Sequence, residues 1–295
     1  MRRQIITVFL SVLCLLAGPA WGADRGALFK VAANGHTMYL FGTMHVGQPG
    51  FYPLEPRIAD AVSKASVLAL EIDPAQDPAI IAQAMQAHGM KQPGESGAPI
   101  APALRRRIDK AISNAGLDPE AVARLKPWLV ATVLAMAEYA SLGYRADLSV
   151  DGHLAQLARA AKVPIVALET PASQMSLFSR LSEAEQLRLL EDSVALIESG
   201  KQSEEVRMIV EAWRTADQEG FDKIAERTAK DTSVAGRFMK KVLLDERNVA
   251  MADKLAGILA RTDNAVAAVG VLHLVGNGSV PALLRARGLQ VERVY

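Results

Sequence analysis

"MYLFGTMHVG" (residues 38–47) and "AAVGVLHLVG" (residues 267–276) are two versions of one pattern at opposite ends of the chain. Each runs a short apolar segment into Gly-x-x-His and then to a second glycine. Each reads as a strand that stops at a glycine, Gly42 or Gly270, with a histidine three residues on, His45 or His273. Two further apolar segments end on one tripeptide, Ala69-Leu70-Glu71 and Ala167-Leu168-Glu169, with Pro74 and Pro171 soon after. Both read as buried strands. If the four lie side by side and mostly parallel, their carboxyl ends share one edge of the sheet, where open α/β folds place their ligands. Two imidazoles and two carboxylates would converge there. Nitrogen and carboxylate donors of this kind suit a divalent transition ion such as Zn, Mn, Co or Fe. The glycines would let the backbone turn and approach the site closely. The bland alternative is a polar loop residue at each histidine and a helix-capping role for each glutamate.

Around these segments the pattern is helical. "ALFKVAANGHTMYLFG" places Asn34-Gly35 at a tight hairpin turn, with His36 a structural turn residue. Helices are expected after Pro56, from Ala101 to about Gly143 with a break at Lys126-Pro127, and from Asp151 to Lys162. Residues 182–251 and beyond read as long helical territory, broken at Glu219-Gly220 and near Thr232-Ser233. The end reads as a strand, a turn, a helix and a last strand, "LQVERVY". The expected fold class is α/β: a mixed, largely parallel central sheet flanked by helices, with a sizeable helical insertion. We expect a single domain over residues 23–295, with helical insertions at about 77–147 and 182–235.

In the last long helix Leu244, Met251, Leu255 and Ile258 form an apolar stripe, and Arg247 and Asn248 fall on it. Polar residues on a packing face mark a site or an internal salt bridge. Arg247 could hold Glu71 or Glu169, or bind a developing oxyanion. "LVGNGSVP" after His273 supplies Ser279 as an N-cap with amides open to an anionic group, or an ordinary loop and cap. Asp151 falls at or near a helix start, His153 in the first turn at the surface, and His88 at a helix end.

The N-terminus has the form of an export signal: Arg2 and Arg3 precede "IITVFLSVLCLLAG", and Ala20-Trp21-Gly22 offers small residues for cleavage after Gly22. Residues 1–22 are therefore expected to be a signal peptide, delivering the protein to the periplasm or the extracellular space. No membrane span is expected in the mature chain. The only cysteine, Cys14, lies within the signal, which excludes disulfides and thiolate chemistry afterwards. Losing Arg2 and Arg3 takes Lys+Arg from 33 to 31 against 32 acids, leaving no basic footprint for nucleic acid. Zincin, serine-hydrolase, P-loop and dinucleotide motifs are absent.

"YLFGTMHVG", "LALEID", "VDGHL…VALETPASQ", "ERNVAMADKL" and "AAVGVLHLVGNGSVPALLRARGLQV" follow one another as in the TraB/GumN family, and the chain resembles its secreted bacterial branch. That branch is related to the Tiki metalloproteases and more distantly to erythromycin esterases and ChaN-type haem-binding proteins. The resemblance implies that His45 and His273 carry the active site with Glu71 as acidic partner. It maps the Arg-Asn pair onto Arg247 and Asn248, and the "LET" motif onto Glu169. It implies metal-dependent hydrolysis, most simply of a peptide or other small substrate, with His45, Glu71 and His273 as ligands. Glu71 is then third ligand or general base, Glu169 takes whichever role is left, and Asp151, Gly42 and Gly270 support the site. A different class of reading is a non-catalytic envelope protein that binds haem or a partner with the same fold. A third is an accessory role in envelope polysaccharide export.

Overall fold

Asn34 and Gly35 take φ values of 53° and 83°, the paired positive dihedrals of a type I′ turn. They fold β1 (Leu28–Ala33) back on β2 (His36–Thr43), with Ala33 opposite His36. This hairpin starts a six-stranded sheet in a computed structural model that describes residues 25–295 apart from Pro93 and Ser96. The expected signal peptide lies outside the described residues.

The chain continues through α1 (Pro56–Ser63), β3 (Val67–Leu70), α2 (Pro78–His88), α3 (Pro102–Asn114), α4 (Pro119–Ala123) and α5 (Pro127–Ser141). Next come α6 (Val150–Ala160), β4 (Ile165–Ala167), α7 (Pro171–Ser176), α8 (Glu183–Glu198), α9 (Lys201–Arg214), α10 (Gln218–Lys230) and α11 (Val234–Phe238). A π-helical segment, Met239–Glu246, runs directly into α12 (Arg247–Leu259), followed by β5 (Ala265–Gly270), α13 (Val280–Ala286) and β6 (Gln290–Arg293).

The strand order is β4-β3-β5-β2-β1-β6. β4, β3, β5 and β2 are mutually parallel, and β1 is antiparallel to both its neighbours. The sheet is α/β and largely parallel, as expected. β3 and β5 are central and covered on both faces, so they read as unbroken apolar runs, "VLAL" and "AVAAV". β2 to β3 to β4 winds one way along the sheet and β4 to β5 to β6 winds the other. Right-handed crossovers then put α1 and α6 on one face and α12 and α13 on the opposite one. The packing agrees: α1 meets α6, and α12 meets α13. The winding reverses at β5, between β3 and β2. Connections leave that edge toward opposite faces, which opens a crevice at their carboxyl ends.

The helical insertions make two kinds of contact. α3, α4, α5 and α8 build a separate small core around Ile108, Ile112, Val130, Leu134 and Val194. α9 and α10 instead give Val206, Trp213 and Phe221 to the core under the sheet. No helix among the described residues is long and apolar enough to cross a membrane.

Three expectations need correction. β4 is not a buried strand: it is the sheet edge, and Val166 is 43% exposed. Its apolar composition matches that of β3, but only one neighbour covers it. Glu219 and Gly220 do not break a helix, because they lie in the first turn of α10; the break precedes them, at residues 215–217, and another falls at residues 199–200. The helix carrying Arg247 is not uniformly α-helical, since the wider π turns end immediately before it.

Candidate functional site

The four strand ends do share one edge. β2 ends two residues before His45 and β3 ends immediately before Glu71; β5 ends at Gly270 and β4 two residues before Glu169. Parallel pairing sets these ends at matched heights, with Thr43 opposite Gly270 and Leu70 opposite both Ala268 and Ala167.

Glu71 is the centre. Its carboxylate is 4% exposed, and Oε1 lies 3.8 Å from His45 Nε2 and 3.7 Å from His273 Nε2. The Gly270 amide donates to the same oxygen at 2.6 Å. A Cβ on Gly270 would stand 3.2 Å from Glu71 Oε1 and 3.3 Å from His45 Nε2, so the absent side chain is what lets the backbone come this close. On the other oxygen, Oε2 accepts from Arg247 Nη2 at 2.5 Å and from Gln174 Nε2 at 3.2 Å. Burial alone would push this acid up. His45, His273, Arg247 and the Gly270 amide overcome that and bring its pKa down to about 2.

Each imidazole is held by its other nitrogen. His45 Nδ1 is 2.9 Å from Asp151 Oδ2, and Thr43 Oγ1 donates to Asp151 Oδ1 at 2.6 Å. Asp151 sits in the first turn of α6, behind the Ser149 N-cap, where the helix N-terminus favours a negative charge. His273 Nδ1 is 2.6 Å from Asn248 Oδ1, while Asn248 Nδ2 donates to the Gly278 carbonyl at 2.8 Å. A carbonyl can only accept, so this second bond fixes the amide, and His273 carries its proton on Nδ1. Burial lowers His273 to about 4, against the upward pull of Glu71. It is neutral at pH 7, with a lone pair on Nε2. His45 moves the other way: Asp151 raises it well above the usual histidine range, and its 62% exposed side chain lets water screen part of that pull.

Glu169 is drawn in through Arg247. Nε and Nη2 of Arg247 donate to Glu169 at 2.6–3.2 Å, Nη1 donates to the Leu243 carbonyl at 3.1 Å, and Gln174 Nε2 reaches Glu169 Oε2 at 2.9 Å. Arg247 thus ties the buried Glu71 to the partly buried Glu169, one of the roles open to it from the sequence. Of the remaining histidines, His36 opens β2 and reaches the Leu259 carbonyl, His88 ends α2, and His153 packs at a tilt against Tyr52 with centroids 4.2 Å apart.

The residues that the sequence assigns to the site, His45, Glu71, His273, Arg247, Glu169, Asn248, Asp151, Gly42 and Gly270, lie in or beside this cluster. Gly42 acts from behind, where a Cβ would meet Val271 Cγ2 at 2.8 Å. Thr43 and Gln174 join the cluster with no signal of their own in the sequence. Thr43 lies inside the first Gly-x-x-His, and Gln174 on α7, whose start is fixed by a Thr170–Ser173 capping box.

The donor types fit a divalent cation. Metal-bound histidines hold their second nitrogen on a carboxylate or carbonyl oxygen, as both do here. Their free Nε2 atoms face one carboxylate oxygen. Among the described residues, however, no group of three or more His, Cys, Asp or Glu side chains is gathered tightly enough to be a ready-made cation cage.

This chain, with strand-end histidines and acids at the reversal of a parallel sheet, belongs to the TraB/PrgY/gumN family, whose model matches residues 27–293. Among the curated relatives, the uncharacterised protein YbaP of Escherichia coli K-12 is 25% identical over 271 residues, covering 90% of this chain and 96% of YbaP. An uncharacterised protein of Treponema pallidum is 24% identical over 204 residues, covering 64% of this chain and 61% of its own length. No solved structure matches.

Proposed function

We propose that this chain is an exported, metal-dependent hydrolase acting on peptide bonds. One observation supports it above the rest. Glu71, ionised at neutral pH, and the Nε2 lone pair of neutral His273 are both acceptors, yet they face each other at 3.7 Å with His45 Nε2 beside them. Two acceptors repel unless positive charge lies near both: in the metal-free chain the raised pKa of His45 supplies it as an imidazolium, and a divalent ion would take the place of that proton. His45, His273 and Glu71 are the proposed holders, a His₂Glu set of the kind used where a further coordination position stays open for water or substrate.

A bound divalent ion would polarise the scissile carbonyl and acidify its water. The chain's own groups do the rest. Glu71, with its pKa near 2 and both oxygens bonded, is a poor proton acceptor and serves better as a ligand. Arg247 fixes that carboxylate and the neighbouring Glu169, and with its contacts spent on them and on Leu243 it is a positioning group more than an oxyanion donor. Asp151 and Asn248 set the ring orientations of His45 and His273.

The groove at this edge is about 200 Å³, open, and lined by His45, Glu71, Ile72, Pro74, Ser149, Asp151 and Gln174. That is smaller than the roughly 300–1,000 Å³ of sites that enclose a drug-sized ligand. An extended chain lying across the edge suits it better than a buried macrocycle, which favours the peptide reading over haem binding. Export rests on the charged-then-apolar N-terminus and its small-residue cleavage site.

The test is elemental analysis of the full chain purified without a metal-binding tag, followed by peptide-library hydrolysis before and after chelation and on refilling with Mn, Co, Zn or Fe. Stoichiometric metal in the parent protein, lost in both His45→Ala and His273→Ala, is the expected result. Equal metal content in all three proteins, or hydrolysis indifferent to chelation, overturns the proposal.

A further inference from the structure

A cavity of about 490 Å³, larger than the catalytic groove, lies on the far side of the group that orients His273. One wall is the face of α10 carrying Asp222, Ala225, Glu226 and Ala229, at i, i+3, i+4 and i+7. The opposite wall is Lys240, Leu244 and Asp245 of the π-helical segment, with Asn248 one turn further on. The floor is Leu272 and the loop that leaves His273, residues 275–278. None of these residues except Asn248 takes part in the cluster around Glu71.

We propose that this cavity is a second ligand site, selective for a small aliphatic amine in its cationic form and coupled to His273 through Asn248. The volume falls within the range of sites that enclose small molecules. Leu244, Leu272 and Val275, with the two alanines of α10, give an aliphatic body somewhere to lie. The charges select the head group. The lining holds three carboxylates and one ammonium; Lys240 Nζ donates to Asp245 Oδ1 and Oδ2 at 2.6 and 2.5 Å, which spends both and leaves Asp222 and Glu226 to face a head group. Glu226 shares Lys230, which lies outside the lining, and the partly buried Arg293 feels Asp222. Asp222 and Glu226 both stand exposed at the mouth. An ammonium gains from them, a carboxylate is repelled, and an uncharged analogue keeps only the apolar term.

The coupling follows from one side chain. Asn248 is 2% exposed and spans from His273 Nδ1 to the carbonyl of Gly278, which belongs to the floor. That floor lies close against both walls. A Cβ on Gly278 would stand 2.8 Å from Asp245 Oδ1, and one on Gly276 would stand 3.2 Å from the Ala225 Cβ. A ligand seated on the loop therefore bears on the hydrogen bond that holds the His273 ring.

Calorimetry on the full chain in metal-free buffer, with 3-methylbutylamine, its N-acetyl derivative and 4-methylpentanoate as probes, tests the proposal. Nitrogen NMR of the His273 ring is the second readout. The amine is expected to bind about fivefold more tightly than the amide, losing that margin in high salt, and the carboxylate is expected to show no binding. Amine binding should also shift the His273 Nδ1 signal. Asp222→Asn with Glu226→Gln should bring the amine down to the affinity of the amide, and Ala229→Trp should abolish binding of both. If the tryptophan variant does not fold, the paired neutral substitutions, at exposed positions, still decide. Equal affinity for all three probes, or amine binding unchanged in the paired variant, overturns the site. Amine binding with a silent His273 overturns the coupling. Neither readout needs metal or turnover, so failure here is separate from failure of the hydrolase reading.

Discussion

The two Gly-x-x-His segments are nearly alike as sequence and opposite as environments. After Gly42 the strand runs on through Thr43, and His45 emerges into the groove with 62% of its side chain exposed and a carboxylate behind it. After Gly270 the chain turns at once into a 3-10 helix, Val271–Leu274, and His273 is 5% exposed with a neutral amide behind it. The Nε2 atoms end at matched distances from the same Glu71 oxygen, yet one ring is driven toward protonation and the other away from it. The motif places the atom. Burial and the partner on the far nitrogen set its charge.

The buried half leans on Arg247, and removing it is the hardest way to break the comparison. Arg247→Met would leave Glu71 and Glu169 facing each other without their shared counter-charge. We expect a loss of about 3–5 kcal/mol in urea unfolding, the range for a buried pair deprived of one partner. A loss below about 1 kcal/mol would mean that the carboxylates separate or take up a proton, and that the arginine is not what holds the site.

Acidity should separate the two histidines by the sign of their effect. His273 has a folded pKa of about 4 against 6.5, so its contribution to stability is complete above pH 6.5 and is lost as the pH falls toward 4. Glu71 follows in the same direction, its contribution lost between pH 4.5 and about 2. His45 is raised, so what it contributes is present below pH 6.5 and fades as the solution turns alkaline, blunted by its exposure. His273→Gln should therefore flatten stability between pH 6.5 and 4, a limb of up to about 3 kcal/mol in the metal-free parent. An unchanged limb would show that the buried ring is not the group titrating there.

The groups behind the rings sharpen the contrast further. Asn248→Ala removes the acceptor that orients His273 and Asp151→Asn replaces the charged acceptor behind His45 with a neutral amide, and each should weaken retention of the proposed ion by about 10–100-fold. Asp151→Asn also removes the charge that raises His45, so its ring titration, followed by NMR, should drop toward the ordinary range. The Asn248 variant should leave His45 where it is. Identical titration of His45 in both variants would mean that the two halves are one electrostatic unit.

How much of this could be read beforehand follows from where the information sits. Four strand ends are local features: each apolar run stops at its own glycine or glutamate, and parallel strands must present equivalent ends to one edge. That is why His45, Glu71, Glu169 and His273 could be brought together on paper. Arg247 and Asn248 stand out as polar residues on an apolar stripe, even though the turns just before them are π-helical and not α-helical. Thr43 and Gln174 gave no such sign. A threonine in a strand and a glutamine in a short capped helix are ordinary, and what each adds to the site depends on a carboxylate more than a hundred residues away in sequence, Asp151 for Thr43 and Glu71 for Gln174, which also holds nearby Glu169. The exposure of β4 was equally hidden, because an edge strand is defined by the neighbour it lacks.

Thr43 gives the smallest effect and isolates the exposed half. Its hydroxyl donates to Asp151 Oδ1 at 2.6 Å, and Thr43 itself is 1% exposed, so Thr43→Val keeps the shape and removes one bond to a charged acceptor. About 1–2 kcal/mol should be lost in urea unfolding, toward the lower end because the valine methyl replaces the hydroxyl in an already filled space. The His45 ring signal should move, since Asp151 then has a single donor left to share. The His273 ring, whose contacts run through Asn248 and Gly278, should not. Movement of both signals would show that the two halves communicate through Glu71, the one group each ring faces, and that the burial difference between them is smaller in solution than 62% against 5% implies.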